Sequence, residues 1–251
     1  MTEKMQPTTP LDAALLRSLF DRIYVINLPE RADRRKEVLG ELHRVGVQPD
    51  DPLITFWQAV RPADRGEFRS IGARGCFLSH LGVLEDAVAQ GLQSILIIED
   101  DMDWTALALS PEFDAAPLKE VAWHFVHGGL GERAPDLKVR MRLHPIPPEE
   151  NMMLSHFIAL REPAIGAAVQ YLSAMLQRPA GSPDGGPMDV DGAYSWFRKD
   201  HPEFASYVCE PSIAMQRSSR SDITDATGWR ATWLADAARR LRRAVLSRRR
   251  D

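Results

Sequence analysis

The feature that most constrains the fold is an apolar segment that ends in a run of acids, SILIIEDDMDW at residues 94–104. Its first five residues include three isoleucines and one leucine, the composition of a strand that is buried on both faces. We predict a strand over residues 94–103. Four carboxylates then occupy five positions, which a chain tolerates where a cation neutralises them or where water solvates them.

The four acids are Glu99, Asp100, Asp101 and Asp103. Side chains alternate along an extended strand, so Glu99, Asp101 and Asp103 are expected to share one side. Open α/β sheets bind ligands at the carboxyl ends of such strands. We therefore predict a divalent metal site that holds a phosphate-bearing substrate. Either the pair Asp101 and Asp103 or the triplet of residues 99–101 could bind the ion, and a solvated strand end is the structural alternative.

Composition places the chain among ordinary soluble proteins, with 251 residues, 44% of them apolar and 26% charged. The net charge of −4 does not indicate a partner such as nucleic acid. Two cysteines, Cys76 and Cys209, make neither a disulfide framework nor a zinc motif, which favours a reduced compartment. The amino terminus lacks the apolar core of a secretory signal, and no apolar run approaches the roughly 20 residues of a membrane span. A cytoplasmic protein is expected.

The order of predicted elements indicates an α/β sheet with crossover helices. Strands over 22–27, 54–60 and 94–103 alternate with helices over 30–45 and 73–90. Further along, we predict strands over 123–127, 139–146, 154–160 and 207–215, helices over 11–20, 162–177 and 189–199, and a flexible loop over 178–188. The expected organisation is an N-terminal tail and short helix (1–21), one domain (22–227) and a C-terminal helix (228–251).

The helix after the first strand begins with an unusual concentration of positive charge, at Arg31, Arg34 and Arg35. The positive end of the helix dipole disfavours arginines there unless an anion binds. Arginine matches phosphate oxygens in a fork, so these three are candidates for a diphosphate clamp, and Asn27 at the end of the strand is a candidate for contact with the nucleoside. The alternative is a solvated helix face paired with nearby acids.

The C-terminal segment is basic and amphipathic. From residue 230 to 251 it carries eight arginines and two aspartates, a local charge of +6, with tryptophan, leucine and valine between them. Such a helix can lie on an anionic lipid surface, which predicts peripheral contact with the inner face of the membrane. A helix docked on the domain is the alternative.

Four stretches of the chain resemble glycosyltransferase family 25, the lipopolysaccharide and collagen galactosyltransferase type. They are YVINLPERADRR (24–35), GARGCFLSHLGVLEDA (72–87), ILIIEDDMDW (95–104) and a weaker tail that includes PMD (187–189) and SDI (221–223). Together they cover roughly residues 22–224, in the order that the family has. One departure is that Ala73 and Arg74 stand before Gly75, where the family has an acid.

The resemblance implies a GT-A-like open mixed sheet, a UDP-sugar donor, typically UDP-galactose, and an inverting transfer. It also implies Mn²⁺, or Mg²⁺, at the acidic cluster. The acceptor that it implies is a glycan such as lipopolysaccharide core, or a lipid-linked glycan.

The resemblance also adds candidate site residues. Ser79 and His80 match the family's second motif, so His80 becomes a candidate for sugar binding or proton transfer, against the alternative of a buried core histidine. An inverting transfer needs a base, and Asp189, which matches the family's proline-x-aspartate, or Asp191 could serve. Either could instead cap the helix that follows. Asp222 is a weaker candidate for closing over the donor.

Two other functions are compatible with the same residues. A metal-dependent phosphohydrolase or nucleotidyltransferase would use the acids on phosphate. A non-catalytic protein that binds a membrane surface would be organised by the basic C-terminal helix instead.

Overall fold

The computed structural model describes residues 8–129 and 140–217, and its strands and helices alternate in most of the order expected. In chain order the elements are α1 (Ala13–Leu19), β1 (Arg22–Asn27), α2 (Ala32–Arg44), β2 (Ile54–Gln58), α3 (Ile71–Ala89), β3 (Ser94–Glu99), β4 (Met102–Trp104), α4 (Pro117–Glu120), β5 (Phe125–His127), β6 (Arg142–Pro145), β7 (Phe157–Arg161), α5 (Ala164–Leu176), α6 (Val190–Asp200), β8 (Ser206–Glu210) and β9 (Ala214–Gln216).

Seven of these strands form one mixed sheet, in the order β2-β1-β3-β7-β5-β8-β6. Strands β2, β1 and β3 are parallel, β7 is antiparallel to both β3 and β5, and β8 is parallel to β5. Strand β6 closes the edge antiparallel to β8. The carboxyl ends of β1, β2 and β3 therefore lie at one edge of the sheet, and the predicted α/β fold with an open mixed sheet and crossover helices is confirmed.

The isoleucine-rich strand β3 is buried on both faces, as its composition predicts. Leu96 and Ile98 belong to the core on one side of the sheet, together with side chains of α1 and α2. Ile95 and Ile97 belong to the core on the other side, together with side chains of α3, α5 and α6. Because both faces are covered, only the end of the strand can present its polar residues to a ligand.

Helix α3 packs very closely against the end of β2. Ser70 caps it, since its side chain accepts a hydrogen bond of 3.0 Å from the Ala73 N–H. A Cβ atom on Gly75 would lie 2.5 Å from the carbonyl oxygen of Val60, so only glycine allows this approach. The contact brings the middle of α3, including Cys76 and His80, next to the carboxyl edge of the sheet.

Two predicted strands are wrong in their extent. The strand predicted over 94–103 ends at Glu99, the chain turns at residues 100–101, and β4 then pairs with β9 in a separate two-stranded sheet. The strand predicted over 207–215 divides into β8 and β9 around Pro211, which has no N–H for a ladder. The four acids therefore do not follow one strand, and Glu99, Asp101 and Asp103 do not alternate along it.

Three predicted features lie outside the described residues. They are most of the N-terminal tail, the SDI motif with Asp222, and the basic C-terminal helix. Among the described helices, none is both long enough and apolar enough to cross a membrane.

Candidate active site

The four acids at the end of β3 contact different sets of side chains. Glu99 ends the strand, Asp100 and Asp101 lie in the turn, and Asp103 lies in β4. The turn gives the carboxylates different nearest partners, although Arg34 lies close to both Asp100 and Asp101.

Glu99 faces helix α3. Its Oε1 atom accepts a hydrogen bond from the Ser155 hydroxyl and lies 3.4 Å from His80 Nε2 and 3.8 Å from Cys76 Sγ. Burial raises the pKa of Glu99, but the hydrogen bonds and charge of His80, with the bond from Ser155, outweigh it and lower that pKa. Glu99 is therefore an ionised carboxylate held by three side chains.

Asp100 faces the first strand and the start of α2. It accepts a hydrogen bond of 2.7 Å from Asn27 Nδ2 and one of 3.0 Å from an Arg34 Nη1. Burial raises the pKa of Asp100. The hydrogen bonds from Asn27 and Arg34 lower it, but burial has the larger effect. Asn27 and Arg34, which we predicted to contact a donor, are thus directed at a carboxylate of the protein.

Asp101 has the weakest charge compensation of the four. Asp101 is 5% exposed, and its nearest side-chain donors among the described residues are Gln216 Nε2, at 3.3 and 3.5 Å, and Arg34 Nη1, at 3.8 Å. Burial, followed by the charge of Glu99, raises the pKa of Asp101 to about 7. Additional positive charge beside Asp101 would relieve this unfavourable environment.

Asp103 is held by an arginine that directly follows the last described strand. Arg217 Nε lies 3.1 and 3.2 Å from the two carboxylate oxygens of Asp103, and Nη2 donates a further bond to one of them. The same guanidinium also pairs with Glu37 on α2. Arg217 therefore ties β4, β9 and α2 together, and Asp103 is already neutralised by the protein.

The three arginines at the start of α2 do not converge. Arg31 donates to Asp33 at 3.0 and 2.9 Å, and the guanidinium of Arg35 lies 3.6 Å from the centre of the Phe56 ring. Arg34 is buried and points to the acidic turn. Arg31 and Arg35 thus lie on the outer side of the helix start, and Arg34 on its inner side.

His80 and Ser79 are both buried in the packing of α3. His80 Nδ1 lies 3.2 Å from the Tyr194 hydroxyl, while Nε2 faces Glu99. The Ser79 hydroxyl accepts a bond of 2.8 Å from the Val60 N–H and donates one of 2.6 Å to the Gly75 carbonyl. Ser79 fastens the helix to the end of β2, and His80 connects α6 to Glu99.

The two candidate bases have different surroundings. Asp189 precedes α6 without a side-chain cap bond and instead pairs with Arg69 at 2.6 Å. Asp191 accepts bonds from the N–H groups of Leu154, at 3.1 Å, and Gly192, at 2.7 Å. Burial raises the pKa of Asp191, and the charges of Asp189 and Glu99 add to the effect. Asp191 therefore belongs electrostatically to the acidic cluster, and Asp189 is half exposed beside it.

Leu154, which Asp191 holds, has a left-handed backbone with φ of 69°, unusual for a branched side chain. Its carbonyl oxygen lies 3.0 Å from His127 Nε2, and His127 Nδ1 accepts a bond of 3.0 Å from the Gly129 N–H. Backbone strain held in place by surrounding hydrogen bonds is common at functional sites. The left-handed backbone of Leu154 therefore supports a functional role for the residues around Asp191.

Sequence reasoning missed several residues that complete this site. Cys76 lies four residues before the predicted site residue His80 on one helix, so their shared face was available as a signal for Cys76. The sequence carries no signal for Ser155, Tyr194 and Arg217, because they reach the site from distant parts of the chain. Ser155 contacts Glu99, Tyr194 contacts His80 and Arg217 contacts Asp103. Asp222 lies outside the described residues.

Comparison with curated proteins identifies relatives, although no protein-family model matches the chain. The human protein named inactive glycosyltransferase 25 family member 3 is 26% identical over 136 residues, which cover 47% of this chain and 23% of that protein. Its mouse counterpart is 24% identical over 242 residues, 86% of this chain and 39% of the relative. Zebrafish procollagen galactosyltransferase 1 is 31% identical over 105 residues, 33% of this chain and 16% of the relative.

The chain thus spans well under half the length of these curated relatives. Among solved structures, a glycosyltransferase involved in glycosylation of the major capsid of PBCV-1 has a TM-score of 0.46 and 8% identity, over 80% of this chain and 93% of that one. That likeness is too weak to establish a shared fold. The matched curated proteins are glycosyltransferase 25 family members, so the resemblance of this chain to glycosyltransferase family 25 is confirmed.

Proposed function

We propose that this chain is a glycosyltransferase that moves galactose from UDP-galactose to a glycan hydroxyl group with inversion. Its relatives include proteins named procollagen galactosyltransferase. The observation that carries the proposal is the buried acidic turn at the carboxyl end of β3, where no cationic group of residues 8–129 and 140–217 lies closer to Asp101 than Arg34, at 3.8 Å. Ligand sites of open α/β sheets lie at this edge.

A hard divalent cation fits Asp101. Mg²⁺ and similar ions are bound through one or two carboxylates, with substrate phosphates completing the shell. Within the part of the chain that the structure describes, the two carboxylate oxygens of Asp101 have only long contacts, whereas Arg217 already binds Asp103. We therefore assign Mn²⁺ or Mg²⁺ to Asp101. When bound, the ion stabilises the negative charge that develops on the departing diphosphate.

The start of α2 is the proposed contact for the diphosphate of the donor. It follows β1 directly, so its N-terminal N–H groups lie at the same edge of the sheet as the acids. Arg31 and Arg35 on its outer side would add positive charge. Arg34 and Asn27 would act indirectly, because they hold Asp100 and so orient the acidic turn.

Asp191 is the proposed base. A base for an acceptor hydroxyl works best when its pKa approaches the working pH, and burial moves the pKa of Asp191 in that direction. Two backbone N–H groups hold its carboxylate in place. His80 is less suited, since both ring nitrogens already have partners and the side chain has no exposure.

The acceptor that we propose is a cell-surface glycan, such as lipopolysaccharide core or a lipid-linked glycan, modified at the cytoplasmic side of a membrane. This follows from the family resemblance of residues 24–104. Some relatives are named inactive, so binding of the donor and its turnover need separate tests.

Calorimetry of UDP-galactose with the full chain tests the donor and the ion together. We expect binding that requires Mn²⁺ and that Asp101→Asn weakens on the order of 10–100-fold. The matched control is Asp50→Asn, because Asp50 is an exposed acid in the loop before β2, at the opposite edge of the sheet. Equal binding by the wild type and Asp101→Asn, or binding that ignores Mn²⁺, would refute the assignment.

A further inference from the structure

A second set of side chains beside the acidic turn has the composition of a transition-metal site. Cys76 and His80 lie one turn apart on α3 and so share a face, and Glu99 meets them from the end of β3. His80 Nε2 and Glu99 Oε1 are 3.4 Å apart, and Cys76 Sγ and Glu99 Oε1 are 3.8 Å apart. All three ligand atoms lie within 4.8 Å of one another.

Two of these separations are close to the edges of a metal tetrahedron, and the third, between Cys76 Sγ and the His80 ring nitrogen, is at most 4.8 Å. Zn²⁺ binds cysteine sulfur at about 2.3 Å and histidine nitrogen or carboxylate oxygen at about 2.0–2.2 Å, which places tetrahedral ligand atoms roughly 3.3–3.7 Å apart. The observed Nε2–Oε1 and Sγ–Oε1 distances need little or no adjustment to reach these values. We propose that Cys76, His80 and Glu99 bind a transition-metal ion, with Zn²⁺ as the best match.

Charge and proton balance are consistent with this ion. A divalent ion would meet one thiolate, one carboxylate and one neutral imidazole, so the complex is neutral in its buried setting. The Cys76 thiol must lose its proton when the S–metal bond forms, and that proton goes to solvent. Without metal, the same geometry is a pair of hydrogen bonds to Glu99, from the Cys76 thiol and from His80. Binding through Nε2 also requires that this nitrogen carry no proton, so the ring proton of the neutral imidazole must lie on Nδ1, beside the Tyr194 hydroxyl. The two states therefore differ in whether Cys76 is a thiolate and in whether His80 Nε2 carries a proton.

The neighbours of the three ligands hold them in position. Tyr194 lies 3.2 Å from His80 Nδ1, which leaves Nε2 to face Glu99. Metal-binding histidines usually have such a partner on their second nitrogen, because it fixes the ring and the tautomer. The Ser155 hydroxyl does the same for Glu99. Cys76 and Glu99 retain partial exposure, so the ligand set is not sealed from solvent.

This site is distinct from the one proposed at Asp101. Sulfur and imidazole are soft or borderline ligands that favour Zn²⁺ and its neighbours, whereas Asp101 offers only oxygen to a hard ion. Within residues 8–129 and 140–217, no other group of three His, Cys, Asp or Glu side chains brings its ligand atoms this close. The inference does not rest on the glycosyltransferase proposal, since it concerns ion binding alone.

Cobalt spectroscopy of the full chain tests the proposal without an activity assay. After removal of metal by chelation and under reducing conditions, the chain is titrated with Co²⁺, and the thiolate-to-cobalt charge-transfer band is recorded. We expect one equivalent to produce the band, and Zn²⁺ to displace it. Cys76→Ser should abolish the band. Cys209→Ser is the matched control, because Cys209 is a buried cysteine in β8 that belongs to the core on the other side of the sheet, and it should retain the band.

Thermal unfolding provides a second readout that guards against a folding defect in the variants. Zn²⁺ binding to the native chain should raise the unfolding temperature of the wild type and of Cys209→Ser, but not that of Cys76→Ser or His80→Ala. The proposal is wrong if the wild type shows no thiolate-to-cobalt band. It is equally wrong if Cys76→Ser gives the same band as the wild type.

Discussion

Arg34 donates a hydrogen bond of 3.0 Å to Asp100 from a position in which only 7% of its residue surface is exposed. An arginine at the start of a helix would ordinarily face an external anion, and here the anion belongs to the acidic turn. The same guanidinium lies 3.8 Å from Asp101. Arg34 therefore links the start of α2 to the end of β3 through its ion pairs with Asp100 and Asp101.

Replacement of Arg34 should show how much these ion pairs contribute to the free energy of unfolding. Removing one partner of a buried ion pair leaves the other charge uncompensated, so we expect Arg34→Ala to lower the free energy of unfolding by about 3–5 kcal/mol. Arg35→Ala is the matched control, with a loss of about 1 kcal/mol or less from its contact with Phe56. Urea unfolding measures both, and equal losses would contradict the role given to Arg34.

The approach of α3 to β2 gives a prediction about two glycines. A Cβ on Gly75 would meet the Val60 carbonyl oxygen at 2.5 Å, so Gly75→Ala should destabilise the fold by about 1–3 kcal/mol. A Cβ on Gly40, within α2, meets nothing within 4 Å, so Gly40→Ala should stabilise by about 0.5–1 kcal/mol. We expect Gly75→Ala to lower the thermal unfolding temperature and Gly40→Ala to raise it. A neutral Gly75→Ala would show that the close approach is not required.

Much of the fold follows from local patterns, but the acidic site does not. The isoleucines of β3 and the alternation of strands and helices predict the parallel part of the sheet correctly. The predicted strand through Asp103 is wrong, because the turn at residues 100–101 and the pairing of β4 with β9 depend on contacts far apart in the chain. No local pattern shows that Arg217 will occupy Asp103.

The arginines illustrate the same limit. Their types and spacing predict an anion at the start of α2, but which group pairs with each arginine depends on the tertiary structure. Arg34 turns inward to Asp100, while Arg31 pairs with Asp33 and Arg35 packs on Phe56. Similarly, the spacing of Cys76 and His80 predicts a shared helix face, but only the fold brings Glu99 to it.

Acid should destabilise the fold through His127. Burial, with the charge of His156, lowers the pKa of His127 from 6.5 to about 4, so the unfolded chain binds a proton that the folded chain excludes. Stability is therefore lost as the pH falls from about 6.5 to about 4, by on the order of 3 kcal/mol from this group.

Urea unfolding between pH 4 and pH 7 measures the effect. His127→Gln should be less stable than the wild type at pH 7 but should show a shallower dependence on pH. His144→Gln is the control, because the His144 side chain is 66% exposed. An unchanged slope in His127→Gln would contradict the prediction.

Kinetics can decide whether Asp189 or Asp191 is the base. We expect Asp191→Asn to lower kcat by about 10²–10⁴-fold with little change in donor affinity, because a base acts on the acceptor proton rather than on donor binding. Asp189→Asn loses a half-exposed pair with Arg69 and should change kcat much less. Wild-type kcat should fall as the pH drops through the raised pKa of Asp191. A larger loss in Asp189→Asn would reverse the assignment.

The central claim is that the acidic turn at Asp101 supports transfer of a sugar from a nucleotide donor. The most direct measurement is release of UDP and galactose from UDP-galactose by the purified full chain with Mn²⁺, using water as the acceptor. The account predicts release that a chelator stops and that Asp101→Asn lowers on the order of 100-fold, with Asp50→Asn unaffected. Equal release by the wild type and Asp101→Asn, or cleavage to UMP in place of sugar release, would contradict it.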